Sequence, residues 1–183
     1  SASDLSWALR RIDSRDMDAD VKQVQVRKVR QLYGLLDGMT CRAAAVRRYF
    51  GEEAVEVCGV CDNCIKPPAG TDSTEAAQKV LAAVHRLGGR FGRGRIADHL
   101  LGKTRDVQPW ETALSTWGIG ADLSPTAWRD LIDSLLYEGL LREDPNDGRP
   151  LVGLGDPEAV RSVYRGERRV MMRKPAEGRD PDT

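Results

Sequence analysis

Along residues 124–138 the apolar positions Trp128, Leu131, Ile132, Leu135 and Leu136 fall at i, i+3, i+4, i+7 and i+8, the spacing of one helical face. Ser124 as N-cap and Pro125 at the first helical position open this segment, which gives the clearest helix in the chain, over 125–138. The same period, less complete, recurs upstream. Ala77, Val80, Leu81, Val84 and Leu87 mark a helix capped by Asp72 or Ser73 and stopped by Gly88-Gly89. Val29, Leu32, Tyr33 and Leu36 mark another over 21–36, ended by Asp37-Gly38, although its opening VKQVQV alternates like a strand. Shorter helices are predicted over 5–16, over 94–101 and from Asp156-Pro157 to about 165. One more, over 40–50, carries Cys41, Ala45 and Tyr49 on one face, with Gly51 placed to cap it. Between the last two long elements, the apolar pairs at 140–141 and 151–152 flank REDPNDGRP, whose turn residues predict a β-hairpin.

This order divides the chain. IKPPAGTDST has two prolines, a glycine and small polar residues with no apolar period, so it reads as a linker with a boundary near residue 70. Beyond it, three helices and a hairpin follow in the order of a winged-helix domain. The organisation expected is an N-terminal helix in 1–20, a helical subdomain over 21–68, a winged helix over 69–166 and a flexible tail or linker over 167–183.

At 183 residues and 40% hydrophobic, the chain can bury a core. It has no run of 18 apolar residues and no leader pattern at its start, so it is expected to be soluble, without membrane contact, in a reducing, cytoplasmic compartment. The formal net charge of zero conceals blocks. Residues 21–50 hold seven cations against Asp37, and residues 85–105 hold six against Asp98. Residues 106–160 hold three arginines against eleven acids. The basic blocks suit a polyanion or, equally, solvated helix faces.

CGVCDNC places Cys58, Cys61 and Cys64 at every third position, and the only other cysteine is Cys41. A Cys-x2-Cys turn brings two thiolates onto one ion, so these three supply three corners of a tetrahedral site and Cys41 the fourth. Four thiolates leave no open position, so a Zn²⁺ held there is structural and contributes folding energy to a segment with little else to bury. A [4Fe–4S] cluster or disulfides are the alternatives the spacing leaves open. Arg42, Arg47, Arg48 and Lys66 lie near enough in sequence to offset the site's negative charge. His85 and His99 each stand alone on a predicted helix, as ordinary surface or core histidines. The fold class is therefore mainly α with a small β-hairpin, a helical zinc-binding subdomain followed by a winged-helix domain.

GGRFGRGR, residues 88–95, follows a helix and lacks the Gly-Lys-Ser/Thr ending of a P-loop, so it is no nucleotide site. Arg90, Arg93 and Arg95 gather positive charge where a helix begins, either as phosphate contacts or as solvated arginines on a loose turn. No nucleophile with a neighbouring base stands out, and the chain alone does not read as an enzyme.

CRAAAVRRYFGE at 41–52, the cysteine loop at 58–64, RFGRGRIADHLLG, the region Trp117-Gly118-Ile119-Gly120 and SPTAWRDLIDSLLYEGLL together resemble the zinc-binding and winged-helix region of RecQ-family DNA helicases. The resemblance covers about residues 21–165 and implies Cys41, Cys58, Cys61 and Cys64 as the ligands of one structural zinc. It implies a fragment of an ATP-driven 3′–5′ helicase of repair and recombination, acting near the nucleoid, whose motor domains, with their ATP and Mg²⁺, would be joined in cis through residues 1–20. It also implies partners: duplex or fork DNA, gripped with little sequence preference, and the acidic tail of the single-stranded-DNA-binding protein. A protein-interaction scaffold is the competing role. The solvent side of helix 125–138 bears Arg129 but also Asp130, Asp133 and Glu138, which disfavours base reading along its length. The DNA contacts expected are therefore Ser124, Thr126 and Arg129 at its N-terminal end, with Arg90, Arg93 and Arg95.

Overall fold

A computed structural model describes residues 2–52, 57–103, 106–144 and 150–173. The first half is a small helical assembly: α1 (Ala2–Asp13), α2 (Ala19–Asp37), α3 (Arg42–Tyr49) and a single turn α4 (Asp62–Ile65) within the cysteine loop. α2 begins before the alternating VKQVQV, because Asp18 caps it, its carboxylate accepting from the Asp20 amide, and the helix then runs through that stretch.

The second half contains the core. Helices α5 (Thr74–Arg86), α6 (Arg93–Leu101) and α8 (Pro125–Tyr137) pack around Leu81, Ile96, Leu100, Trp128, Ile132 and Leu135, all fully buried. The Trp128 indole N–H donates to the Gly120 carbonyl at 2.8 Å, so the largest core ring leaves no polar atom unpaired. Ser124 accepts from the Ala127 amide at 3.1 Å, the cap its position predicts. Strands β2 (Leu141–Asp144) and β3 (Leu151–Leu154) pair antiparallel in the register Leu141 with Leu154 and Asp144 with Leu151. The turn expected in REDPNDGRP falls mostly on residues 145–149, outside those described. A short α7 (Pro109–Thr112) lies in the stretch expected to be irregular, and α9 (Pro157–Tyr164) follows the hairpin. Three helices and a hairpin in this order are a winged helix.

Two segments depart from expectation. Gly70–Asp72, within the proposed linker, is strand β1, and Met171–Arg173, within the expected tail, is strand β4; the two pair antiparallel, Gly70 opposite Arg173. The Ser73 amide donates to the Val170 carbonyl, and the Val170 amide donates to the Thr74 hydroxyl, while Val170 itself is buried. Composition misreads this clip because its rungs are main-chain bonds between residues about a hundred positions apart.

The halves meet where α2 crosses α8. Gly34 makes that approach possible: a Cβ there would lie 2.3 Å from the Tyr137 ring, so only glycine lets α2 rest on it.

Candidate metal centre and arginine cleft

Cys41 is the N-cap of α3, and Cys61 is the N-cap of α4, with Cys58 before it and Cys64 within it. Gly59, at φ +78°, supplies the left-handed turn between Cys58 and Cys61. The four sulfurs lie within 4.8 Å of one another. Cys58 to Cys64 is 3.9 Å, Cys61 to Cys41 is 4.0 Å and Cys61 to Cys64 is 3.4 Å. An ion bonded tetrahedrally to four sulfurs at about 2.3 Å sets them about 3.8 Å apart, so this cluster has the size of a four-thiolate metal site. Its electrostatics agree. The Ala44 amide at the start of α3 holds the Cys41 thiol down to about 6. Cys61 is lowered by the Arg42 amide. Cys64 is drawn down by the Gly59 amide, but the Cys61 sulfur and burial outweigh that and push it up to about 11. Four sulfurs this close do not all ionise without a cation among them.

Around the sulfurs, Arg42 donates to both oxygens of Asp62 at 3.0 and 2.9 Å, and to the Leu36 carbonyl at 2.8 Å. The pairing with Arg42 holds the Asp62 carboxyl down to about 2. Asn63, buried, donates to the Gly38 and Thr40 carbonyls at 2.9 and 2.8 Å and accepts from Arg42 and from Arg173. Of the cations expected to offset the site, Arg42 alone is drawn into it, while Arg47, Arg48 and Lys66 are exposed. Sequence reasoning passed over Asp62 and Asn63, although an acid beside thiolates in CGVCDNC is a signal that a cation must stand next to it.

The second site is an open cleft of about 800 Å³ where α6 begins. Arg90, Arg93 and Arg95 line it together, as their spacing suggested, and Arg30 joins them from α2. Arg90 is exposed. Arg93 donates to Asp133 on α8. Arg95 donates to the fully buried Glu111 at 2.6 Å, and its guanidinium lies 5.4 Å from the Phe91 ring centre. Glu111 also accepts from the Gln108 amide, and despite burial these donors keep it ionised, its carboxyl lowered from the usual range. Trp110, half exposed, stacks on Phe91 beside the cleft. Ser124, Thr126 and Arg129 are exposed on the first turns of α8 and are not among the described residues lining the cleft.

The expectation that Asp130, Asp133 and Glu138 form a solvent face on α8 is corrected. Asp133 is largely buried between Arg93 and Arg30, Asp130 is half buried, and Glu138 receives Arg168 at 2.9 Å. Helical periodicity places these acids opposite the apolar stripe but cannot show that α2 and residue 168 cover that side. His99 is a core residue, its Nε2 2.9 Å from the Thr116 hydroxyl and its ring edge-on to Trp117, and burial lowers its pKa so that it stays neutral. His85 is exposed.

A helical subdomain whose four cysteines are placed to hold a metal ion, joined to a winged helix, is an architecture that fits a DNA-binding accessory module. The RecQ zinc-binding family model matches residues 2–65 and the RQC domain model residues 67–181, and the chain belongs to this family. It is similar to the ATP-dependent DNA helicase RecQ of Pasteurella multocida, 29% identical over 177 residues, or 94% of this chain and 27% of that protein. The protein of the same name from Haemophilus influenzae is 27% identical over 175 residues, 94% of this chain and 28% of its own length. That from Bacillus subtilis is 34% identical over 124 residues, 66% of this chain and 21% of its own. The chain thus spans about a quarter of the length of the curated relatives it matches. Among the described residues no helix is long and apolar enough to cross a membrane.

Proposed function

We propose that this chain is the DNA-binding accessory region of a RecQ-type ATP-dependent 3′–5′ DNA helicase, holding duplex or fork DNA for a motor in repair and recombination. The observation that carries the reading is the gathering of Arg30, Arg90, Arg93 and Arg95 on one open cleft at the start of α6. Its role is phosphate contact with little sequence preference, and the half-exposed Trp110 beside it offers a ring face for an unpaired base at a fork. Ser124, Thr126 and Arg129 form a second exposed set for backbone contact. The ion at the four cysteines is Zn²⁺, and its role is structural, since four thiolates fill a tetrahedral shell. It supplies no step of chemistry. Docking of an acidic protein tail and placement near the nucleoid remain part of the same reading, resting on the family alone. The scaffold role is less well supported, because the acids of 106–160 that would form its surface include Glu111, Asp133, Glu138 and Glu143, all engaged by arginines of this chain.

The test is fluorescence anisotropy with labelled forked, duplex and single-stranded DNA at two salt concentrations. Affinity is expected to fall steeply with salt and to drop for every sequence in Arg90→Glu, a position free of internal ion pairs among the described residues. Salt-insensitive binding, or an Arg90→Glu protein that binds like the native one, would move the site elsewhere. Metal analysis should give one zinc per colourless chain, and a brown chain with broad visible absorption would assign iron and sulfur instead.

A further inference from the structure

Arg30 belongs to the zinc-binding subdomain, yet it reaches the cleft of the winged helix. Its Nη1 donates to Glu143 on β2, while its Nε is buried with no acceptor within hydrogen-bonding distance. Asp133 Oδ1 lies 4.0 Å from that Nε, too far for a hydrogen bond, and the same oxygen already accepts from Arg93. One carboxylate oxygen therefore stands between two guanidiniums from two subdomains and accepts a hydrogen bond only from Arg93. Beside this trio, α6 begins with no side-chain cap at Gly92, so its first amides have no such partner. A Cβ built on Gly94 would meet nothing within 4 Å, so the space in front of that first turn is open.

We propose that the cleft is a composite phosphodiester site to which both subdomains contribute, Arg93 and Arg30 being held across Asp133 until a backbone phosphate takes its place. The inference rests on the reading of the chain as a DNA-binding region. A phosphodiester has two non-bridging oxygens, one for each guanidinium, where the Asp133 oxygen between them bonds Arg93 and leaves Arg30 Nε unpaired. The planar, multi-donor arginine suits that bridge, as a lysine ammonium does not. In the unbound protein Asp133 acts as the stand-in anion, so the site is weakened by its own acid. Occupancy ties α2 to α6 through the ligand, and gripping DNA then also fixes the two subdomains relative to each other.

The metal-loaded chain and its Arg30→Lys, Asp133→Asn, Arg90→Glu and Asp122→Asn variants are titrated into a labelled duplex, with circular dichroism and metal content checking each fold. Arg30→Lys is expected to weaken binding by about five- to tenfold although charge is kept, and Asp133→Asn to strengthen it by about three- to tenfold. Asp122→Asn, which removes an exposed acid paired with Lys79, controls for simple neutralisation and should change affinity less than Asp133→Asn. Native affinity in Arg30→Lys, or equal gains in the two Asp→Asn variants, overturns the composite site. If Arg90→Glu weakens binding while those variants do nothing, the composite site falls and the DNA-binding reading stands. If Arg90→Glu is also silent, both fall. A second measurement does not depend on the variants: the Nε–H resonance of Arg30 should shift when duplex is added. A shift with millimolar inorganic phosphate but not with duplex would assign an isolated-phosphate site and overturn the phosphodiester.

Discussion

The two halves of this protein hold themselves together in opposite ways. In the winged helix, stability is spread over a contiguous apolar core from Ala77 to Val170. Among the described residues of the zinc-binding subdomain the buried apolar ones are Ile12, Cys41 and Ala44, and the 19-residue α2 buries none of its own. What the first half lacks in buried area it concentrates at one point: four sulfurs, with Arg42 and Asn63 stitching the loop that carries three of them to the α2–α3 turn. A distributed core loses a fraction of its stability when one residue is trimmed, whereas a point-held fold loses nearly all of it when the point goes.

The sharpest way to test that contrast is to remove the ion. Chelation, or Cys58→Ser, is expected to cost the first half on the order of 10 kcal/mol of apparent binding energy and to unfold it. The winged helix should keep its own melting transition. A calorimetric trace in which both halves melt together after chelation would abolish the distinction. Next in size is Trp128→Ala, which leaves a cavity and removes the indole donor to the Gly120 carbonyl, and should cost about 3–5 kcal/mol. Denaturant unfolding should show the loss confined to the winged helix, with metal content unchanged. Gly34→Ala tests the seam instead. Its methyl would meet the Tyr137 ring, and the overpacking is expected to cost about 1–3 kcal/mol of coupling between the halves, read as a splitting of their transitions. The smallest effect should come from Ser124→Ala, about 1 kcal/mol through the lost cap of α8, visible only in the winged-helix transition.

Legibility in the sequence followed the same divide. The winged helix was readable because its helices carry their apolar faces and caps locally: Ser124, Pro125 and the stripe from Trp128 to Leu136 specify α8 with no reference to the rest of the chain. The four cysteines were readable because ligand spacing is also a local constraint. What escaped is long-range. The β1–β4 clip depends on main-chain pairing between distant segments, and a composition of proline, glycine and small residues gives no sign of it. Arg30 escaped for a similar reason: within α2 it is one cation among several, and only the crossing of α2 over α8 at Gly34 brings it to Asp133 and Glu143. The arginines of 88–95 were found, but their counter-ions were not, since Glu111 and Asp133 lie on other elements.

The strand clip also determines how the winged helix responds to being pulled. Gly70 and Arg173 are partners at one end of the antiparallel pair, so a force entering before residue 70 and leaving after residue 173 loads its rungs one after another, not all at once. The clip then opens like a zip fastener, at low load, before tension reaches α5 and the core behind it. Because Arg173 also donates to Asn63 in the cysteine loop, the first rung to give way takes with it a tether to the metal centre. Traction on the chain would thus be felt at the zinc-binding subdomain before the winged helix begins to yield.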